Sequence, residues 1–278
     1  MPLTFALFII FIVFLCWGSF LNVVAYRTAF DENFLTRRSY CPSCRSMIAW
    51  YDNIPVLSWL ILQGQCRTCK TLISAMYPFI ELSTACVVTL FSYQLLSPFA
   101  FSPDLLVPAT FIAHNTLLFY QWLTMTLFFS LLLINTATDL YTLTVAQLFT
   151  LWPIPCVWLC ALLGILPLSL QQSFFGAVIG YVILWTVATL FKKLQGQQGM
   201  GEGDFELLAL IGSVVGITGV WYTLLIASAS GSIIGLAYLA LTKQHKTTPI
   251  PFGPFLALGA IIYLCLPSLP FFLLNLLS

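Results

Sequence analysis

Residues 205–241 read FELLALIGSVVGITGVWYTLLIASASGSIIGLAYLAL, an apolar run whose sole charged residue is Glu206. A helix needs about 20 apolar residues to cross the hydrocarbon core of a bilayer. Gly216 and Gly219 fall near the middle, so the run reads as two spans, 205–219 and 220–241. Six further runs, at 4–25, 77–96, 114–134, 144–164, 173–191 and 254–275, bring the expected total to eight. The sequence therefore predicts an all-α polytopic membrane protein, interrupted by one long polar insertion at 26–76.

Composition agrees. Charged residues make up 7% of the chain and hydrophobic residues 60%, with a mean hydropathy of +0.99. A soluble domain carries about 25% charged residues, so this chain lacks the polar surface to face water all round. A net charge of +1 gives a nucleic-acid partner no support. Met1–Thr4 holds no basic segment and no small-residue cleavage signal follows, so the first span is expected to be retained.

The ten basic residues set the expected topology. Six (Arg27, Arg37, Arg38, Arg45, Arg67, Lys70) lie in the polar insertion. Lys192 and Lys193 follow the fifth span, and Lys243 and Lys246 follow the seventh. With eight spans all three loops share one face, which the positive-inside rule makes cytoplasmic, with both termini outside. Seven or nine spans would carry a basic loop across. The 135–143 loop, with Asp139, joins the same face, and Asp204 opens the sixth span there.

Five of nine cysteines (Cys16, Cys86, Cys156, Cys160, Cys265) sit in apolar segments and read as small core-facing residues. The others form two C-x-x-C pairs, Cys41/Cys44 and Cys66/Cys69, with 21 residues between them. Each pair chelates from a tight turn, and two pairs complete a tetrahedral thiolate site for zinc. Disulfides are the alternative, but a reducing cytosol disfavours them. Four thiolates leave no open position, so the metal is expected to be structural.

Five carboxylates lie at or near span ends: Glu81, Asp139, Glu202, Asp204 and Glu206. Ionisable groups at membrane depth are costly and mark function by default. Plainer readings exist: a helix N-cap for Asp204, a solvated turn for Asp139, and a helix-start carboxylate for Glu81. Asp204 closes a G-x-G-x-G-D stretch from Gly199, where glycines admit close backbone approach. If Asp139 and Asp204 meet, they share a proton, and peptide hydrolysis follows. The ionised member takes a proton from water while the protonated one polarises the scissile carbonyl. His114 and His245 fall away from this pair, so a Ser-His or Cys-His mechanism has little support.

Beyond these patterns the chain resembles the bacterial type IV prepilin peptidase family over most of its length. The carriers are Gly18-Ser19-Phe20-Leu21-Asn22-Val23-Val24, the Cys41–Cys69 stretch with Asp52-Asn53-Ile54-Pro55-Val56-Leu57-Ser58-Trp59, Tyr77-Pro78 with Glu81, Gly201-Glu202-Gly203-Asp204, and Pro251-Phe252-Gly253-Pro254-Phe255. The resemblance implies catalytic Asp139 and Asp204. It implies cleavage of the basic leader of prepilins and pseudopilins at the cytoplasmic face of the bacterial inner membrane. It also implies N-methylation of the new N-terminus, usually phenylalanine, from S-adenosylmethionine. The cysteine loop marks the bifunctional type. Residues 1–100 would serve methyl transfer and 110–278 the peptidase core. Glu81 is a candidate for binding or deprotonating the amine, although no Gly-rich element exists to hold the methyl donor, and oligomeric state has no signature here.

Departures from the family pattern include Met76 before Tyr77, no proline-aspartate after Asp139, and Glu206 in place of a lysine, which adds negative charge near Asp204. Two other classes compete with the peptidase. A transporter would place its carboxylates near the bilayer midplane within inverted repeats; an assembly platform would survive loss of both aspartates.

Overall fold

A computed structural model describes residues 3–32, 39–100, 108–196, 200–242 and 251–266. Arg37, Arg38, Asp104, Gly199, Lys243, His245, Lys246 and the stretch 267–275 of the expected eighth span lie outside the described residues. The regular elements described are all helical, and the chain forms two compact units, residues 1–137 and 138–278.

The first unit contains α1 (Leu3–Ala29), α2 (Leu57–Ile61), α3 (Met76–Ala100) and most of α4 (Pro108–Thr142). α1 carries no charge before Arg27 and is long and apolar enough to cross a membrane, as are α3 and α4. Its outward side chains, Phe5, Phe8, Ile12 and Phe20 among them, are exposed in the protein, which suits lipid rather than water. The inner face packs Phe14 with Ala85 and Val88 of α3. Polar contacts tie the helices: Trp17 Nε1 donates to Ser130 Oγ at 2.9 Å, and Trp122 Nε1 to Ser92 Oγ at 2.8 Å. Without competing water, such bonds join helices that have no hydrophobic drive to associate.

The second unit contains α5 (Ile154–Leu162), α6 (Leu170–Gln195), α7 (Glu202–Thr242) and α8 (Gly253–Cys265). A straight helix of α7's 41 residues would reach about 60 Å, twice the bilayer core. Gly216 breaks it, with φ 70° and ψ −175°, a conformation open to glycine alone. The side chain of Val220 comes back against Gly212, so the chain reverses there and α7 is two spans. The break falls at Gly216 rather than between 219 and 220. α6 runs antiparallel to the first arm, with Gly176 against Gly212 and Gly180 against Leu208. α8 runs antiparallel to the second arm, with Gly259 against Thr223 and Tyr263 stacked on Tyr222.

Several expectations shift. α4 continues past 134 to Thr142, so Asp139 lies in a helix rather than in a turn. The fourth run is a 3₁₀ turn (Gln147–Phe149) and the nine-residue α5, whose start is set by Pro153 at its N-cap and Pro155 in its first turn, where a helix admits proline. Among the cysteines of the apolar segments only Cys265 is buried; Cys16, Cys86 and Cys156 face outward.

Candidate active site

Asp139 lies in the last turn of α4 and is 5% exposed. A carboxylate at a helix C-terminus meets the negative end of its own macrodipole. Here the opposite pole compensates: the backbone N–H of Gly253, first residue of α8, donates to Asp139 Oδ2 at 2.9 Å. Asp204 is the third residue of α7 and 8% exposed. It stands in the first turn, where the helix dipole favours negative charge, and its own N–H donates to Gly201 O at 3.3 Å. Gly253 N–H binds Asp139, and Gly203, next to Asp204, lies against Val145 just beyond α4, so the C-terminal end of α4 and the N-terminal ends of α7 and α8 lie together. Three helix termini thus converge.

Gly203 makes that convergence possible. A Cβ built on it would lie 2.5 Å from Cβ of Val145, which belongs to the segment leaving α4. Gly201 has no such neighbour, only Asp204 Oδ2 at 3.9 Å from its would-be Cβ. Glu206, two residues beyond Asp204, is buried and engaged elsewhere. Gln147 Nε2 and Thr150 Oγ1 each donate to its carboxylate at 2.9 Å. Its negative charge is taken up in pinning the 3₁₀ turn to α7.

The cysteine loop of the first unit repeats one turn twice. Cys41 N donates to Ser46 O and Arg45 N to Cys41 O; Cys66 N donates to Thr71 O and Lys70 N to Cys66 O. Arg45 and Lys70 occupy matching left-handed positions, φ 57° and 59°. The four sulfurs lie within 4.8 Å of one another and could hold a metal ion, and all four cysteines are free. Hydrogen bonds from Ser46 and Thr71 lower the Cys44 and Cys69 thiols, and backbone N–H groups lower Cys66. Burial pushes Cys41 up to about 11. Arg67, inside the second pair, holds Asp52 through Nε at 2.7 Å and a second nitrogen at 2.5 Å, which keeps that carboxyl below the usual range.

Glu81, 6% exposed on α3, accepts the backbone N–H of Val56 at 2.7 Å, with the Ser19 side chain also acting on it. α1 approaches so closely that a Cβ on Gly18 would lie 2.8 Å from Glu81 Cα. One turn along, Asn22 Nδ2 donates to Tyr77 O at 3.0 Å.

Family models match both units: "Bacterial Peptidase A24 N-terminal domain" over residues 12–95 and "Type IV leader peptidase family" over 126–240. A "Prepilin leader peptidase/N-methyltransferase" of Aeromonas salmonicida (strain A449) is 35% identical over 286 aligned residues, 92% of this chain and 89% of that protein. Proteins of the same description from Stutzerimonas stutzeri and Pseudomonas aeruginosa are 33% and 34% identical, each over 95% of this chain and 91% of theirs. The chain belongs to the type IV leader peptidase family. No solved structure matches it.

Within this leader peptidase, sequence reasoning singled out Asp139, Asp204, Glu81 and the four cysteines, and the structure groups them as a carboxylate pair, a buried seam and a sulfur cluster. It gave no role to Gly253 or Asn22, although both stand inside quoted motifs. Val145, Gln147 and Thr150 left no signal at all, because only folding brings them to Gly203 and Glu206.

Proposed function

We propose that this leader peptidase removes the basic leader of type IV prepilins and pseudopilins with Asp139 and Asp204, then methylates the new N-terminal amine with S-adenosylmethionine. The observation that carries the peptidase role is the burial of Asp139 and Asp204 at helix ends that meet, Gly253 N–H holding Asp139 and Gly203 beside Asp204 lying against Val145. Two carboxylates in one field cannot both ionise easily, so one keeps a proton. The ionised member removes a proton from water, which attacks the scissile carbonyl. The protonated member polarises that carbonyl, and the leaving amine is protonated as the C–N bond breaks. The exposed acidic Glu202, two residues before Asp204, adds negative charge that attracts a basic leader.

In this reading the peptidase core is residues 110–278, and residues 1–100 serve methyl transfer, in which Glu81 handles the amine. Zinc suits the cysteine cluster. A tetrahedral ion with Zn–S near 2.3 Å sets sulfurs about 3.8 Å apart, and Cys41 Sγ lies 3.8 Å from Cys69 Sγ. The positive-inside rule, applied to the basic loops of the sequence, supports a cytoplasmic position for the cluster and both aspartates at the inner membrane, with the termini outside.

Incubation with a prepilin in detergent, with and without S-adenosylmethionine, followed by intact mass, tests both activities. A leader-sized loss reports cleavage and a further methyl reports transfer. Cleavage that survives Asp139→Asn or Asp204→Asn refutes the dyad.

A further inference from the structure

The seam between α1 and α3 in the first unit holds an unusual excess of acceptors. Glu81 is buried, and no Lys or Arg pairs with it among the described residues; its partners are the Val56 N–H and the Ser19 side chain. Asn22 is 0% exposed, and with Nδ2 spent on Tyr77 O, its Oδ1 has no partner among the described residues. Buried oxygens are nearly always paired, and an orphan costs about 1–3 kcal/mol. The two groups share one seam, because Ser19 and Asn22 stand a turn apart on α1 and face Glu81 and Tyr77, a turn apart on α3. A buried carboxyl group and an unfilled acceptor call for a ligand that brings positive charge and several N–H donors.

We infer that Glu81 and Asn22 form the site for the primary ammonium of a cleaved pilin's N-terminal residue. This rests on the methyltransferase reading above and names its acceptor subsite. The Val56 N–H now fills one carboxylate position that the ammonium takes over. Val56 is held at φ 61°, ψ −51°, a conformation costly for a β-branched residue, so the strap that closes the site is under strain. With the ammonium seated, Glu81 accepts one proton and Asn22 Oδ1 orients a remaining N–H. The nitrogen lone pair then attacks the methyl carbon of a methylsulfonium donor. The N–C bond forms and the S–C bond breaks, its electron pair staying on sulfur.

The test uses the full-length enzyme in detergent, S-adenosylmethionine, mature pilin as methyl acceptor, and two competitor peptides beginning with phenylalanine, one with a free amine and one N-acetylated. On the wild type the free-amine peptide inhibits methyl transfer at least 10-fold better. In Asn22→Leu, KM for mature pilin rises at least 10-fold while KM for S-adenosylmethionine changes less than threefold, and peptide discrimination falls below threefold. Glu81→Gln lowers kcat at least 100-fold. Equal inhibition by the acetylated peptide overturns the inference without needing any variant to fold. A rise in KM for S-adenosylmethionine instead of for pilin also overturns it, assigning the seam to the donor's own ammonium. A wild type that cleaves prepilin yet transfers no methyl refutes the methyltransferase reading, and the subsite with it.

Discussion

The backbone N–H of Gly253 donates to Oδ2 of Asp139 at 2.9 Å, joining residues 114 apart in the chain. A hydrogen bond to a charged group is worth about 1.5–3 kcal/mol. A Cβ at residue 253 would lie 2.8 Å from that same oxygen and displace it. Gly253→Ala is therefore expected to lower kcat for leader cleavage by about 10- to 100-fold, with KM changing far less. Wild-type kcat in this variant would show that the contact is packing alone.

The two glycines flanking Glu202 should differ. Gly203→Ala drives a methyl into Val145, whereas at Gly201 a new methyl meets only Asp204 Oδ2, at an ordinary contact of 3.9 Å. Cleavage by Gly201→Ala should stay within about twofold of wild type, as for a substitution that disturbs no packing. Gly203→Ala should lose most activity, and adding Val145→Gly should restore part of it. Additive defects in the double variant would refute direct contact.

Glu206 should act on stability rather than on chemistry. Removing its carboxylate strands Gln147 and Thr150, so Glu206→Ala is expected to cost about 1–3 kcal/mol, read as a lower melting temperature. The shape of its pH–rate profile should match wild type. A displaced profile would mean that its charge reaches the aspartates.

Metal analysis should find about one zinc per chain, bound by four thiolates. Chelation should expose residues 39–75 to protease, because such a loop draws its fold from the metal. Leader cleavage should persist, since Asp139 and Asp204 belong to the separate 138–278 unit. Loss of cleavage in step with zinc would show that the peptidase needs the loop.

The Asp52–Arg67 pair sets an acid limit on the same loop. Arg67 depresses the Asp52 carboxyl, so the folded loop binds its proton less readily than the unfolded chain. The pair's stabilisation is complete above the ordinary aspartate value of about 4 and is lost as pH falls through the depressed one. Carbodiimide labelling of Asp52, followed by mass spectrometry, should be weak at pH 5–7 in wild type and stronger in Arg67→Ala. Equal labelling would mean that the pair does not hold in solution.

Hydropathy, charge placement and two C-x-x-C pairs were readable from the chain because each is local. An apolar run declares a span by itself, and a thiolate pair chelates from its own turn. Asp139 and Asp204 could be drawn to one side of the membrane by counting spans, since topology is a one-dimensional rule. Folding alone decided that the sixth and seventh spans turn at Gly216, that Asp139 stays helical, and that Gly253, Val145 and Asn22 meet their partners. Those contacts join residues tens of positions apart, and no local pattern records which helix faces which. Glu206 shows the limit well: near Asp204 in sequence, it turns to Gln147 and Thr150 because a helix points residues two apart to different sides.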